Sequence, residues 1–247
     1  MRILVTGANG FLGAHLVRAL SGMADINVLT YVRGDELSSL YAKLTELDFI
    51  FHLAGVNRPK NKDDFLSSNV QLTADICKFL CVNEIRSTVY FSSSIHSEGS
   101  TNYGASKLAA ENLLKELALE NGNRIIVQKL PRIFGPGAKP NYNSVVATFC
   151  YAVVKDLPVT IDSPDLVIGL SYVEDWVSEM VQLTFNPDYD PKFVEYQISL
   201  KNLYNFFLQC KLRGGSCLDD FKSTLNNSLI KKLFTTYCYY EFQGKSI

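Results

Sequence analysis

Short apolar runs alternate with amphipathic stretches from residue 2 to about residue 130. The runs at 3–5, 49–53, 89–91 and 125–127 are apolar at nearly every position rather than at every second one. That pattern predicts strands buried on both faces, and a further strand is expected over 28–33. Between the strands, apolar positions recur at helical spacing over 11–20, 37–47, 64–82 and 103–120. Strands alternating with helices imply right-handed crossovers, so the expected fold class is α/β: a Rossmann-type, doubly wound parallel sheet. Beyond about residue 131 the pattern loosens. Gly135-Pro136-Gly137 and Lys139-Pro140-Asn141 are loop sequences, and helical spacing resumes at 173–183. The expected organisation is one domain over 1–131 and a smaller C-terminal substrate-binding lobe over 132–247. The aromatic stretch 237–242 is expected to dock on the body or on another chain.

Composition narrows the function. With 24 Lys plus Arg against 25 Asp plus Glu, the net charge is -1. No basic excess points to nucleic acid or to a membrane surface, so neither is an expected partner. Any anionic ligand must be held by local groups. Cys77, Cys81, Cys150, Cys210, Cys217 and Cys238 form no CxxC pair and no metal-ligand spacing. They read as reduced thiols of a cytoplasmic protein, with no metal site expected. Met1-Arg2 runs directly into a strand, so no signal peptide is expected, and no apolar run is long enough to span a bilayer.

The first chemistry is a glycine-rich turn. Thr6-Gly7-Ala8-Asn9-Gly10-Phe11-Leu12-Gly13 follows the first strand and opens a helix. Gly7 permits the tight turn, Gly10 lets the backbone approach a pyrophosphate, and Gly13 lets the helix lie close to the strand. The unpaired N–H groups of the helix start then face the anion. Dinucleotide binding by Gly7, Asn9, Gly10, Phe11, Leu12 and Gly13 is the expectation; a purely structural turn is the plain alternative. The second strand ends in Tyr31-Val32-Arg33. A guanidinium there suits a 2′-phosphate, which favours NADP(H) over NAD(H). The competing reading leaves Arg33 solvated and gives the ribose to Asp35.

The second chemistry is Tyr103-Gly104-Ala105-Ser106-Lys107 at the start of a predicted helix. Residues four apart share one helical face. A phenol of pKa about 10 beside an ammonium gives up its proton more readily, as proton exchange with a carbonyl or alcohol requires. Lys107 would also hold the nicotinamide ribose. A hydroxyl that polarises the same oxygen should close a preceding strand, and Ser92-Ser93-Ser94 stands after the run 89–91. The plain alternative is a surface Tyr–Lys pair on an amphipathic helix.

Taken together with His52-Leu53-Ala54-Gly55, these motifs resemble the extended short-chain dehydrogenases/reductases, which include the NAD-dependent epimerase/dehydratase family. The resemblance covers residues 1 to about 185. The segments 52–59 and 139–145 are most similar to the reductase domain of capsular-polysaccharide enzymes of the CapF type. Such enzymes reduce the C4 ketone of a UDP-linked 6-deoxy-4-keto-2-acetamido sugar with NADPH. The resemblance implies Ser94 as the catalytic hydroxyl, with Ser93 second. It implies Leu53, Ala54 and Gly55 beside the cofactor, and Asn57, Arg58, Lys139, Asn141, Tyr142 and Asn143 against the sugar nucleotide. His52 reads instead as a buried, hydrogen-bonded core histidine; for Arg58 and Lys139 a solvated loop charge is the plain alternative. The family's extra strand with an acidic adenine contact is short or absent between Arg33 and Phe49. CapF-type enzymes also carry a C-terminal cupin domain, and none is expected within these 247 residues.

The expected activity is therefore an NADPH-dependent nucleotide-sugar ketoreductase serving capsule or O-antigen precursor synthesis, acting as a homodimer. A UDP-sugar 4-epimerase with tightly bound NAD is one alternative. A 4,6-dehydratase is disfavoured, because Ile95-His96 stands where its Asp-Glu acids would follow the hydroxyl. A non-catalytic NADP-binding protein is the alternative of another class.

Overall fold

The computed structural model describes residues 1–56, 66–95, 97, 101–186, 188–213 and 228–245. Strands β1 (Arg2–Thr6), β2 (Asn27–Tyr31), β3 (Phe49–His52), β4 (Thr88–Ser94) and β5 (Arg124–Leu130) form one parallel sheet in the order β2-β1-β3-β4-β5. Helices α1 (Phe11–Ser21), α2 (Leu37–Leu44), α3 (Leu72–Val82) and α4 (Asn102–Asn121) join successive strands, and a π-helical turn, Leu66–Gln71, leads into α3. From β1 the chain moves outward to β2, then returns to place β3 on the other side of β1. Open α/β sheets bind ligands in the crevice opened by that reversal, here at the carboxyl ends of β1 and β3.

The apolar runs of β1, β3 and β4 close the core as the pattern predicts, whereas the run 125–127 lies in the edge strand β5 and is only half-buried. Leu4, Ile50, Val89 and Phe91 of the sheet pack with Leu40 and Leu44 of α2, Ile76 and Leu80 of α3, and Leu114 of α4. All are essentially inaccessible, and each gains roughly 1.5–3 kcal/mol by leaving water. Two further predictions differ from the structure. The strand over 89–91 continues through all three serines, because Ser92, Ser93 and Ser94 pair with Gln128, Lys129 and Leu130 of β5. Of the helix expected over 64–82, the described residues form a π-helical turn, Leu66–Gln71, and then the α-helix Leu72–Val82.

Two compact units emerge: Met1–Leu130 with Val177–Pro191, and Pro131–Trp176 with Lys192–Ile247. The second contains a three-stranded sheet of β6 (Ile133–Phe134), β7 (Val167–Tyr172) and β8 (Tyr196–Ser199), with β6 parallel and β8 antiparallel to β7. Helix α6 (Val173–Phe185) follows β7. Helices α5 (Val145–Val154), α7 (Leu200–Arg213) and α8 (Ser228–Lys245) pack together. Phe149 meets Tyr204 edge-on at 5.5 Å, and Phe207 stacks on Tyr237 at 6.4 Å. The aromatic stretch 237–242 is thus part of α8, and within the unit the Tyr240 hydroxyl donates to the Ala138 carbonyl. Among the described residues no helix is long and apolar enough to cross a membrane.

A buried histidine ties the ends of β1 and β3 together. Thr6 Oγ1 lies 2.7 Å from His52 Nδ1, and His52 Nε2 lies 2.9 Å from Thr73 Oγ1. Thr73 donates onward to the Asn69 carbonyl, and Thr6 Oγ1 accepts from the Ala54 N–H. Thr73 must therefore accept from His52, which places the ring proton on Nε2 and leaves Nδ1 to accept from Thr6. Complete burial of the neutral ring, together with the nearby Lys107 charge, pushes the His52 pKa down to about 3. The unfolded chain takes up this proton near pH 6.5 and the folded chain does not, so His52 makes stability fall as pH drops through that window. The expected slope is up to about 1.4 kcal/mol per pH unit between pH 6.5 and 4. Urea unfolding of His52→Gln across that range should give a visibly flatter dependence than the wild type; equal slopes would refute the assignment.

Candidate active site

The glycine-rich turn stands at the carboxyl end of β1, in the crevice described above. Gly7 has φ +70°, and a Cβ there would come within 2.8 Å of the Ala54 backbone. A Cβ on Gly13 would lie 2.3 Å from the Gly7 carbonyl, so this close approach of α1 to the turn requires glycine. The Gly10 N–H donates to the Gly7 carbonyl at 2.8 Å, and the Gly7 N–H donates to the Tyr31 carbonyl at 2.8 Å. Thr101 caps α4 and Ser144 caps α5 through their side chains, whereas the α1 N-cap, Gly10, offers none. The N–H groups opening α1 therefore suit an anion. Asn9 and Gly10 are exposed at the tip, and Phe11 and Leu12 are half-buried behind it.

Beyond β2 the backbone turns back at Val32–Asp35. The Asp35 N–H donates to the Val32 carbonyl at 3.1 Å, and Gly34 takes φ +99°. Arg33 is exposed at the tip of this turn. The Asp35 carboxylate is turned inward: Oδ2 accepts from the Val32 N–H at 3.0 Å and lies 3.7 Å from Lys43 Nζ.

The paired tyrosine and lysine sit where α4 begins. Thr101 accepts from the Gly104 N–H at 3.0 Å, which fixes the start of the helix, and Gly122 ends it in the left-handed region at φ +73°. Tyr103 is half-buried, whereas Lys107 is 4% exposed. Lys107 Nζ donates to the Ser92 carbonyl at 2.8 Å and lies 4.6 Å from the centre of the Phe91 ring. It also borders Gly55, where a Cβ would meet Nζ at 3.1 Å. The ends of β3 and β4 thus enclose the ammonium. Burial lowers its pKa to about 8 despite the opposing pull of Glu111.

The three serines divide between roles. Side chains alternate along a strand, so Ser92 and Ser94 share one face and Ser93 takes the other. Ser93 donates a short hydrogen bond to the buried Glu111 carboxylate, and Ser92 Oγ donates to the His52 carbonyl at 3.4 Å. Ser94 is buried at the very end of β4.

One residue of this region escaped the sequence reading. Asn69, 2% exposed in the π-helical turn, accepts from the Val56 N–H at 2.7 Å. It donates to the Val56 carbonyl at 3.0 Å and to Ser106 Oγ at 3.0 Å, and Ser106 donates to the Tyr103 carbonyl at 2.8 Å. Asn69 therefore couples the loop after β3 to the first turn of α4. A lone Asn in Ser-Asn-Val carries no spacing signal, so only the fold could reveal it.

The remaining predicted residues are more scattered. Leu53 and Ala54 are half-buried and Gly55 exposed in the loop after β3. Lys139, Asn141 and Asn143 are exposed in the second unit's loop before α5, with Lys139 Nζ 5.7 Å from the Tyr142 ring centre. The Asn141 N–H donates to Thr148 Oγ1 at 3.0 Å. Asn57, Arg58, His96 and Cys217 lie outside the described residues.

With this geometry in place, likeness to known proteins is informative. The chain is 37% identical to a UDP-2-acetamido-2,6-beta-L-arabino-hexul-4-ose reductase of Pseudomonas aeruginosa, over 96% of its own length and 64% of that protein's. It therefore spans somewhat less than two-thirds of this relative. The crystal structure of the capsular polysaccharide assembling protein CapF from Staphylococcus aureus superimposes with a TM-score of 0.81 at 32% identity, covering 97% of this chain and 66% of that one. A UDP-glucuronic acid 4-epimerase from Bacillus cereus, in complex with NAD, gives a TM-score of 0.82 at 18% identity, covering 99% and 100%; it shares the fold. Residues 3–199 match the pattern of the NAD dependent epimerase/dehydratase family, to which the chain belongs.

Proposed function

We propose that this chain reduces the C4 ketone of a UDP-linked 6-deoxy-4-keto-2-acetamido sugar with NADPH, in the synthesis of capsule or O-antigen precursors. One observation carries the reading: a buried lysine ammonium, one helical turn after Tyr103, held against the end of β4 beside the loop that leaves β3. The kinship to a reductase of such a sugar from Pseudomonas aeruginosa supports the substrate class.

The residues fit a nicotinamide dinucleotide. The glycine turn offers its uncapped N–H groups to the pyrophosphate, and Leu53, Ala54 and Gly55 line the adjoining crevice at the end of β3. NADP(H) is favoured over NAD(H) by the turn after β2. Asp35, which would otherwise accept from a ribose 2′-hydroxyl, is already engaged with Val32 and Lys43, whereas Arg33 is exposed for a 2′-phosphate.

Bound NADPH supplies the hydride. Tyr103 donates its phenolic proton to the C4 oxygen as the alcohol forms. Ser94 donates a hydrogen bond to the same oxygen; Ser93 is less suited, because its hydroxyl is committed to Glu111. The Lys107 ammonium holds the nicotinamide ribose and makes the Tyr103 phenol a stronger acid. Asn57, Arg58, Lys139, Asn141, Tyr142 and Asn143 complete the proposal as the groups that hold the sugar nucleotide.

Tyr103→Phe should leave the NADPH dissociation constant within a factor of about two while lowering kcat by about 10²–10⁴-fold. The assay follows NADPH oxidation with a panel of UDP-4-keto sugars. Wild-type turnover by this variant would sink the acid assignment. Arg33→Ala should raise the dissociation constant for NADPH by about 10–100-fold and leave that for NADH nearly unchanged. Equal losses for both nucleotides would assign Arg33 to some other contact.

A further inference from the structure

The mechanism above leaves one buried charge unused. Glu111 is 5% exposed, one turn beyond Lys107 on α4, so the two side chains emerge from the same helical face. An isolated carboxylate at such a position would be strongly disfavoured without partners. Here Ser93 donates to it, while the carbonyl of the preceding residue, Ser92, accepts from Lys107 at 2.8 Å. Two consecutive residues of β4 therefore dock two consecutive turns of α4, one through a hydroxyl and the other through a carbonyl. We propose that Glu111 is a positioning residue: anchored by Ser93, its carboxylate keeps Lys107 charged and fixed against the Ser92 carbonyl, and through Lys107 it sets the acidity of Tyr103. The inference rests on the reading of Tyr103 and Lys107 as the reacting pair.

The other groups around Lys107 make Glu111 the decisive partner. From α4, Glu111 and the phenol of Tyr103 share its face. From β3, His52 is neutral through the working range, its own pKa being about 3. From β4, Lys107 meets a carbonyl and an aromatic ring, and from the π-helical turn the amide of Asn69 stands near Gly55. Burial pulls the proton off Lys107, and Glu111 is the group that pushes the other way. Removing the carboxylate leaves the desolvation cost unopposed, so Lys107 should lose its proton at lower pH. Neutral Lys107 no longer promotes proton release from Tyr103, so turnover should fail earlier on the alkaline side.

The test reads the lysine directly. Full-length protein carrying ¹³Cε-lysine is titrated by NMR, with the Lys107 resonance assigned by its loss in Lys107→Met. In Glu111→Gln the Lys107 midpoint should fall by roughly one unit or more, and the alkaline limb of kcat/KM should move with it. Ser93→Ala, which frees the carboxylate without discharging it, should shift both in the same direction by less. A folded Glu111→Gln protein with an unmoved Lys107 midpoint overturns the proposal. Should Glu111→Gln fail to fold, an unmoved midpoint in Ser93→Ala overturns it equally. A shifted midpoint in a protein whose wild type oxidises NADPH with no keto sugar would uphold the Lys107–Glu111 coupling and refute the reductase reading instead.

Discussion

Everything at this crevice depends on keeping an ammonium in a place that water scarcely reaches. Lys107 is 4% exposed, and a bare charge there would cost several kcal/mol. The chain meets that cost with the Ser92 carbonyl, the face of the Phe91 ring and a carboxylate one turn away. Each partner comes from an element whose position is fixed independently: β4 by its parallel pairing with β3 and β5, and α4 by the Thr101 cap and the Gly122 stop. The face that α4 turns inward near its start is consequently polar, with Ser106, Lys107 and Glu111 buried alongside Ala110, and only Leu114 and Leu117 beyond them supply ordinary apolar packing.

That polarity explains how far the sequence could be read. The parallel sheet was legible because its central strands, β1, β3 and β4, are buried on both faces and so lose the alternation that would suggest a half-exposed sheet. The glycine turn was legible because Gly7 and Gly13 sit where a Cβ would collide with backbone, so their spacing carries the geometry. The Tyr103–Lys107 spacing was legible for a similar reason, being one helical turn. Asn69 was not, because its importance lies in reaching Val56 and Ser106 across a π-helical turn, and that contact leaves no trace in periodicity. Glu111 was hidden too: a Glu within a helix reads as solvent-facing until the fold turns it toward Ser93. In the second unit, α5 follows a loop rich in Pro, Gly and Asn and β7 a segment broken by Pro158 and Pro164, and the alternation that guided the first half was missing there.

His52 and Asn69 link the two sides of the crevice into one hydrogen-bonded unit. Donors and acceptors run without a break from the Ala54 N–H through Thr6, His52 and Thr73 to the Asn69 carbonyl. From the same Asn69, the side-chain amide continues to Ser106 and the Tyr103 backbone. The glycine turn begins at Gly7, beside Thr6, and Tyr103 opens α4, so the turn and the tyrosine are held by a common set of neutral, fully used groups. A charged histidine in that chain would turn Nδ1 into a donor and leave the Thr6 hydroxyl proton without its acceptor, and burial keeps the ring neutral.

The turn after β2 commits its one inward-facing acid to its own backbone. In a sheet of this kind an acid near the end of β2 can accept from the ribose 2′-hydroxyl, and Asp35 has the right chemistry and nearly the right position. Yet the chain reverses at Val32–Asp35, and the reversal is held by the Val32 N–H bound to that same carboxylate, with Lys43 beside it. Freeing Asp35 for a ribose would undo the turn that carries Arg33 at its tip and Gly34 at φ +99°. The two readings of this strand end are therefore not independent: the contact that commits Asp35 to Val32 also holds the turn that exposes Arg33.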